Sequence, residues 1–157
     1  MRFNTKDITY YNQPFDHWVL DNFLDINDAK KLSNQFIDFD NPTEEIIHYK
    51  GWIGEKRTCN RWDRFPPLTY STFSNLLSDK FIDKLSDITG ITPLYPDIGL
   101  HGGGWHMSGK GGSLAMHLDY SIHPKMNLQR KLNLIIYLEE DYDPEWGGSL
   151  QLSLIHI

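Results

Sequence analysis

The sequence predicts an α+β fold in which helices come first and a β-sandwich or jelly roll follows. Apolar residues recur at helical spacing in the first half of the chain, and from Pro93 onward they alternate with a period of two. The length of 157 residues and a hydrophobic fraction of 39% suit one domain with a sizeable core. We find no internal repeat and no second domain.

The first predicted helix follows a short strand at residues 19–24. Either Asp25 or Asn27 can cap it, since both side chains accept hydrogen bonds from the backbone of a first turn. An Asn-Pro pair at residues 41–42 is expected to end it. Its apolar face is formed by Ala29, Leu32 and Phe36.

A second helix is predicted after two less regular segments. Residues 45–49 suit a strand, and residues 51–67 suit a long surface connection. Gly90 closes the helix, because glycine readily adopts the left-handed conformation that ends helices. Its apolar face is formed by Phe73, Leu77, Phe81, Leu85 and Ile88.

The later part of the chain predicts strands. Residues 114–119 and 132–138 alternate in polarity, and residues 149–151 begin another strand after a turn-rich loop at 141–148. Glycines at 102–104 and 109–112 favour strand ends and bulges over a phosphate-binding loop, because no strand-to-helix switch follows them.

Composition excludes several classes of protein. A net charge of −6 without a basic cluster argues against nucleic-acid binding. Cys59 is the single cysteine, so neither an intrachain disulfide nor a thiolate zinc cluster is expected. We see no signal peptide and no apolar stretch near the ~20 residues of a membrane span. We therefore expect a cytoplasmic protein with no membrane partner.

The strand predicted at residues 114–119 carries the candidate chemistry. Residues two apart on a strand share a face, so His117 and Asp119 would point to one side while Leu114, Met116 and Leu118 are buried on the other. An imidazole and a carboxylate are two of the three ligands of a 2-His-1-carboxylate iron site. A surface histidine beside a solvated acid is the alternative reading of the same tripeptide.

Further polar side chains are expected near this pair on neighbouring strands: His101, His106, Asn133 and Tyr137. Polar groups inside a small barrel need partners or a metal, because burying them unpaired is costly.

Residues 109–151 resemble a known family. Gly-Gly-Ser-Leu at 111–114, His-Leu-Asp-Tyr at 117–120, the run at 130–138 and Trp-Gly-Gly-Ser-Leu at 146–150 look like the prolyl-4-hydroxylase-like group of iron(II)/2-oxoglutarate-dependent oxygenases. Residues 14–17 and 21–24 are also similar to how such domains begin.

The resemblance implies a double-stranded β-helix (a jelly roll) with N-terminal flanking helices and an Fe(2+) ion held by His117 and Asp119. It also implies 2-oxoglutarate as cosubstrate, ascorbate as a possible reductant, and hydroxylation coupled to oxidative decarboxylation of 2-oxoglutarate. Asn133, Tyr137 and His106 become candidates for contact with the cosubstrate. The substrate is left open between a small molecule, a protein side chain and a glycan.

The chain departs from the family pattern near its end. Relatives carry a distal histidine and then an Arg or Lys that pairs with 2-oxoglutarate, but after Gly148 this sequence offers His156 alone and no cation behind it. Residues 152–157 also match one reading frame of a transposase adapter sequence used in sequencing libraries. We therefore expect residues 1–151 to be a partial oxygenase domain, incomplete at its C-terminus and inactive. Residues 152–157 would then be a non-native tail.

Two other functional classes remain open. A non-catalytic metal- or ligand-binding β-barrel would use the histidines at 101, 106, 117 and 123 around zinc or nickel. An interaction module would use exposed tryptophans, namely Trp52, Trp62 and Trp146.

Overall fold

The computed structural model describes residues 2–37, 56–109 and 111–152, with the side chains of residues 36 and 37 left aside. Three helices and two small sheets make up a mixed α+β arrangement, as the sequence predicted at this coarse level. The elements in chain order are β1 (Ile8–Tyr11), β2 (His17–Leu20), α1 (Ile26–Ile37), β3 (Lys56–Cys59), α2 (Pro67–Leu76), α3 (Asp79–Thr89) and β4 (Trp105–Ser108). Short 3-10 turns lie at Trp62–Arg64 and Pro144–Trp146.

The first helix begins where its capping residue predicts. The carboxylate of Asp25 accepts a hydrogen bond of 2.9 Å from the Asn27 backbone N–H, so Asp25 is the cap and Asn27 lies inside α1. The strand before it is β2, which ends at Leu20 and pairs antiparallel with β1. Sequence analysis did not predict β1.

The segment predicted to form the second helix forms two helices in the structure. α2 ends before Leu77, and the Ser78 side chain caps α3 by accepting a hydrogen bond from the Phe81 backbone N–H. The apolar period continues across this break, so periodicity alone did not reveal it. Gly90 ends α3 with a φ of 70°, which confirms the predicted helix stop.

The core lies where α2 and α3 meet the segment after β2. Phe23, Leu76 and Phe81 are its buried residues, and the Phe3 ring stacks on Phe23 at 4.9 Å. Ile136, from the later part of the chain, packs against the same cluster. Burial of these large apolar side chains supplies the main stabilising term for this half of the molecule.

A buried polar contact joins α1 to α2. The Gln35 side-chain oxygen accepts a hydrogen bond of 2.7 Å from the Thr69 hydroxyl and one of 3.2 Å from the Thr69 backbone N–H. Thr69 has no exposed surface, so Gln35 satisfies two donors that water cannot reach.

Strands β3 and β4 form the second sheet, and β3 lies inside the segment expected to be a surface connection. Lys56 pairs with Ser108, and Cys59 pairs with Trp105. Gly104 precedes β4 with a φ of 95°, and a Cβ there would lie 2.3 Å from the Cys59 carbonyl oxygen. Glycine is therefore required where the two backbones meet.

Residues 114–119, 132–138 and 149–151 are not strands, contrary to prediction. Leu114, Met116 and Leu118 are each more than half exposed, so the apolar face expected to be buried is open. Strands need neighbours to satisfy their N–H and C=O groups, and within the described residues these segments join no sheet, with only an isolated bridge at Leu114. The described residues accordingly form no closed double-stranded β-helix.

The strand predicted at 45–49 and the helix end at 41–42 lie outside the described residues. In the described part of the chain, no helix is long and apolar enough to cross a membrane.

Candidate metal centre

His117 and Asp119 lie side by side although their segment is not a strand. The His117 Nε2 atom is 3.5 Å from the Asp119 Oδ1 atom, and both side chains are partly exposed. Two atoms that each lie about 2.1 Å from a divalent ion are about 3.0–3.4 Å apart at ordinary ligand angles. The observed separation is therefore close to what one shared ion requires.

A backbone contact fixes which ring nitrogen of His117 is free. The His117 Nδ1 atom is 2.8 Å from the Ala115 carbonyl oxygen, which can only accept, so Nδ1 carries the proton in this bond. In the neutral ring, Nε2 then presents its lone pair to the Asp119 carboxylate. Two acceptors facing each other need a cation or a proton between them, and a carbonyl on the other nitrogen is the usual support of a metal-binding histidine.

The other oxygen of Asp119 is held by two side chains. Arg130 Nη2 lies 3.3 Å from Asp119 Oδ2 and the Asn133 amide nitrogen lies 3.5 Å from it. Arg130 Nη2 also donates to the Asn133 side-chain oxygen at 3.0 Å. Arg130 and Asn133 thus hold one oxygen of the carboxylate, while the oxygen facing His117 makes no such contact with the described residues.

A short hairpin places Arg130 beside Asp119. Ile122 and Gln129 form an antiparallel bridge, and the Arg130 backbone N–H donates to the Ser121 carbonyl at 2.8 Å. The Arg130 guanidinium lies 4.7 Å from the Tyr120 ring centroid, a cation–π contact. A groove of about 260 Å³ runs along residues 119–121 and 129–133.

Strand β3 carries Lys56, whose charge is felt by Asp119. Partial burial lowers the pKa of Lys56, and the charge of Asp119 raises it in part. His106 lies across the sheet from Thr58. His106 is an exposed residue, yet desolvation by neighbouring atoms is the main cause that lowers its pKa. The charge of Lys56 lowers this pKa further, and the Gly103 carbonyl opposes the shift.

Two of the three predicted cosubstrate residues make no direct polar contact with this pair in the described part of the chain. No hydrogen bond or ion pair in the described residues joins Tyr137 or His106 to His117 or Asp119. Tyr137 is 66% exposed, and the atoms on its covered side raise its pKa by desolvation. Asn133 does reach Asp119, as described above.

His101 and His123 have contacts of their own within the fold. His123 is buried, and its Nδ1 accepts hydrogen bonds from the backbone N–H groups of Lys125 and Met126. Its Nε2 lies 3.3 Å from the Asp97 carboxylate and makes no hydrogen bond within the described residues. The His101 ring packs on His123 at 5.2 Å.

The residues present fit part of an iron site. Within residues 2–37, 56–109 and 111–152, no group of three His, Cys, Asp or Glu side chains could hold a metal ion. His117 and Asp119 supply two donors of the kinds that iron(II) prefers, with a suitable separation and tautomer. His156 lies outside the described residues.

A comparison with protein families bears on the same segment. Residues 103–155, about a third of the chain, match the family model described as "2OG-Fe(II) oxygenase superfamily". The match supports an oxygenase domain there. It contains His117 and Asp119 and supports the dioxygenase class, with iron(II) and 2-oxoglutarate as the groups this superfamily uses. No curated protein and no solved structure matches the chain significantly.

Neither the contact of Arg130 with Asp119 nor the electrostatic influence of Asp119 on Lys56 was predicted from the sequence. Arg130 begins the run that carried the family resemblance, and this position was the available signal. Lys56 gave no signal, because its approach to Asp119 depends on how β3 is placed in space.

Proposed function

We propose that this chain carries part of the catalytic centre of an iron(II)- and 2-oxoglutarate-dependent dioxygenase of the prolyl-4-hydroxylase-like group, built on a jelly-roll fold. The observation that carries the proposal is the 3.5 Å approach of His117 Nε2 to Asp119 Oδ1 inside the segment that matches the oxygenase superfamily. Together these support a shared iron(II) ion more strongly than a solvated surface pair.

In this proposal His117 and Asp119 hold the iron, which supplies oxidative chemistry coupled to 2-oxoglutarate decarboxylation when bound. Asn133 orients Asp119 and lies at the groove, where it can also meet the cosubstrate. Tyr137 and His106 remain candidate cosubstrate contacts, and ascorbate is a candidate reductant. The cytoplasm is the proposed compartment, on the sequence alone.

We propose classes of substrate and no particular molecule. The groove beside Asp119 is shallow and lined largely by polar side chains, with Tyr120 and Leu132 as its larger apolar surfaces. A small molecule, a protein side chain or a glycan each suits such a groove. We propose no nucleic-acid substrate, because the chain carries a net charge of −6.

We expect weak binding of iron and little turnover by the 157-residue chain. The described residues provide two ligands, and a two-ligand site holds a divalent ion loosely.

Two measurements test the proposal. The first is Mn²⁺ binding, with Mn²⁺ as a redox-inert substitute for Fe²⁺, by the chain and by its His117→Ala and Asp119→Ala variants. The second is succinate formation with Fe²⁺, 2-oxoglutarate and ascorbate. We expect weak Mn²⁺ binding that both variants abolish, and a low succinate yield that follows the same pattern.

His17→Ala is the matched control. The His17 Nδ1 atom is 2.9 Å from the Phe15 carbonyl, the same local contact that His117 makes with Ala115. Mn²⁺ binding that survives loss of His117 and Asp119 would contradict the proposed site. Rapid turnover by the chain would support the reaction and contradict the expectation of a loose two-ligand site.

A further inference from the structure

We infer that Arg130 is a positioning residue that holds the Asp119 carboxylate in the orientation needed to share an ion with His117. The inference rests on the proposed function and adds a residue to it. The two oxygens of Asp119 have different partners. Arg130 and Asn133 hold Oδ2, while Oδ1 faces His117.

Arg130 is itself well fixed. Its backbone N–H is bonded to Ser121, its guanidinium lies over the Tyr120 ring, and its side chain is 20% exposed. The Tyr120 hydroxyl in turn donates a hydrogen bond of 2.7 Å to the His101 carbonyl oxygen. A guanidinium anchored in this way loses little freedom when it meets a carboxylate, unlike a long side chain that is free in solvent.

The contact stabilises the fold only slightly. The Asp119 side chain is 45% exposed, and ion pairs between partly exposed groups contribute little to stability. Orientation of a ligand carboxylate has a larger effect, because loss of such a supporting contact weakens metal binding about 10-fold to 100-fold. A positioning role therefore predicts a large change in metal affinity without a comparable change in thermal stability.

The shape of the guanidinium matters as well as its charge. Arg130 stacks on Tyr120 and donates to Asn133 while it meets Asp119. Lysine would keep the charge but lose the planar stacking and the fixed fork of donors. Arg130→Lys should therefore recover part of the affinity that Arg130→Gln loses.

The experiment measures the Mn²⁺ dissociation constant and the thermal unfolding midpoint of the full chain and four variants. Arg130→Gln removes the contact, Arg130→Lys keeps the charge, and His117→Ala removes a ligand. Lys125→Gln is the matched control, since it also removes one positive charge from the hairpin but lies on its exposed turn.

We expect Arg130→Gln to weaken Mn²⁺ binding at least 10-fold, Arg130→Lys to weaken it less, and Lys125→Gln to leave it within twofold. All three unfolding midpoints should stay within a few degrees of the unsubstituted chain. Such a pattern would show that weaker Mn²⁺ binding comes from a misoriented carboxylate. It would rule out loss of positive charge and loss of the fold as the cause.

Three results would overturn the inference, and they differ from one another. Mn²⁺ binding that His117→Ala abolishes but Arg130→Gln retains would remove the role of Arg130 and leave the proposed function intact. Absence of Mn²⁺ binding by the unsubstituted chain would remove the proposed site and the inference together. Equal weakening by Arg130→Gln and Lys125→Gln would show an effect of net charge alone.

Discussion

The described residues before position 110 and residues 111–152 differ in how they are held. The first region contains all three helices, both small sheets and every core residue except one partly buried contact, Ile136. The second contains a 3-10 turn, Pro144–Trp146, and His123 is its one buried residue. The candidate site therefore lies in the region with the least apolar packing.

Because residues 111–152 have little apolar packing, the candidate site depends on a few polar contacts with the first region. Tyr120 bonds to the His101 carbonyl, His123 faces Asp97, and Glu140 pairs with Lys30 at 2.7 Å. Contacts of this kind fix geometry but add little free energy when they are exposed. We expect the second region to open locally before the first region unfolds.

The largest expected effect compares one residue type in the two regions. Leu32 in α1 is 2% exposed, and Leu134 is 41% exposed. Leu32→Ala should lower the free energy of unfolding by about 2–5 kcal/mol, because it leaves a cavity in a packed region. Leu134→Ala should lower it by about 0.5 kcal/mol or less. Urea denaturation of both variants checks this, and equal losses would contradict the contrast between the regions.

A smaller effect is expected from the polar contact between α1 and α2. Gln35→Ala leaves the Thr69 hydroxyl and N–H buried without their acceptor, which should cost about 1–3 kcal/mol. Asn75→Ala is a useful control, since its side chain bonds to Ser71 on an exposed face of α2. Thermal unfolding distinguishes the two variants, and similar midpoints would show that water replaces Gln35.

The smallest effect concerns the pKa of His106. Because desolvation and Lys56 hold this pKa below 6.5 in the folded chain, the unfolded chain binds the proton more tightly. His106 therefore favours folding above pH 6.5, and this contribution is lost as the pH falls from 6.5 through the folded pKa.

Lys56→Gln tests that account by removing one cause of the shift. The pKa of His106, followed by NMR titration of its ring protons, should rise toward 6.5 while staying below it, because desolvation remains. An unchanged pKa in Lys56→Gln would show that desolvation accounts for the whole shift.

The elements that sequence predicted well are those whose hydrogen bonds are local. Asp25 and Gly90 mark the ends of helices through contacts within a few residues, so both were readable from the sequence. The alternating run at 132–138 was misread because alternation describes which side chains share a face and cannot supply a partner strand.

The candidate site divides in the same way. His117 and Asp119 were found from their spacing, and they lie together although the strand that motivated them is absent. The contact of Arg130 with Asp119 depends on a hairpin, and the only sequence signal for it was that Arg130 begins the run that carried the family resemblance. The electrostatic influence of Asp119 on Lys56 depends on where β3 lies in space, which the sequence does not reveal. The assignment of His117 and Asp119 as metal ligands, with Arg130 as a supporting residue, stays a prediction.

The most direct measurement of the central claim, a shared ion between His117 and Asp119, is paramagnetic broadening of histidine ring signals by substoichiometric Mn²⁺. The account predicts that the His117 ring signals broaden first, while those of His17, which has the same backbone contact, stay sharp at the same concentration. Asp119→Ala should restore the His117 signals. Equal broadening of His17 and His117, or broadening of His117 that persists in Asp119→Ala, would contradict it.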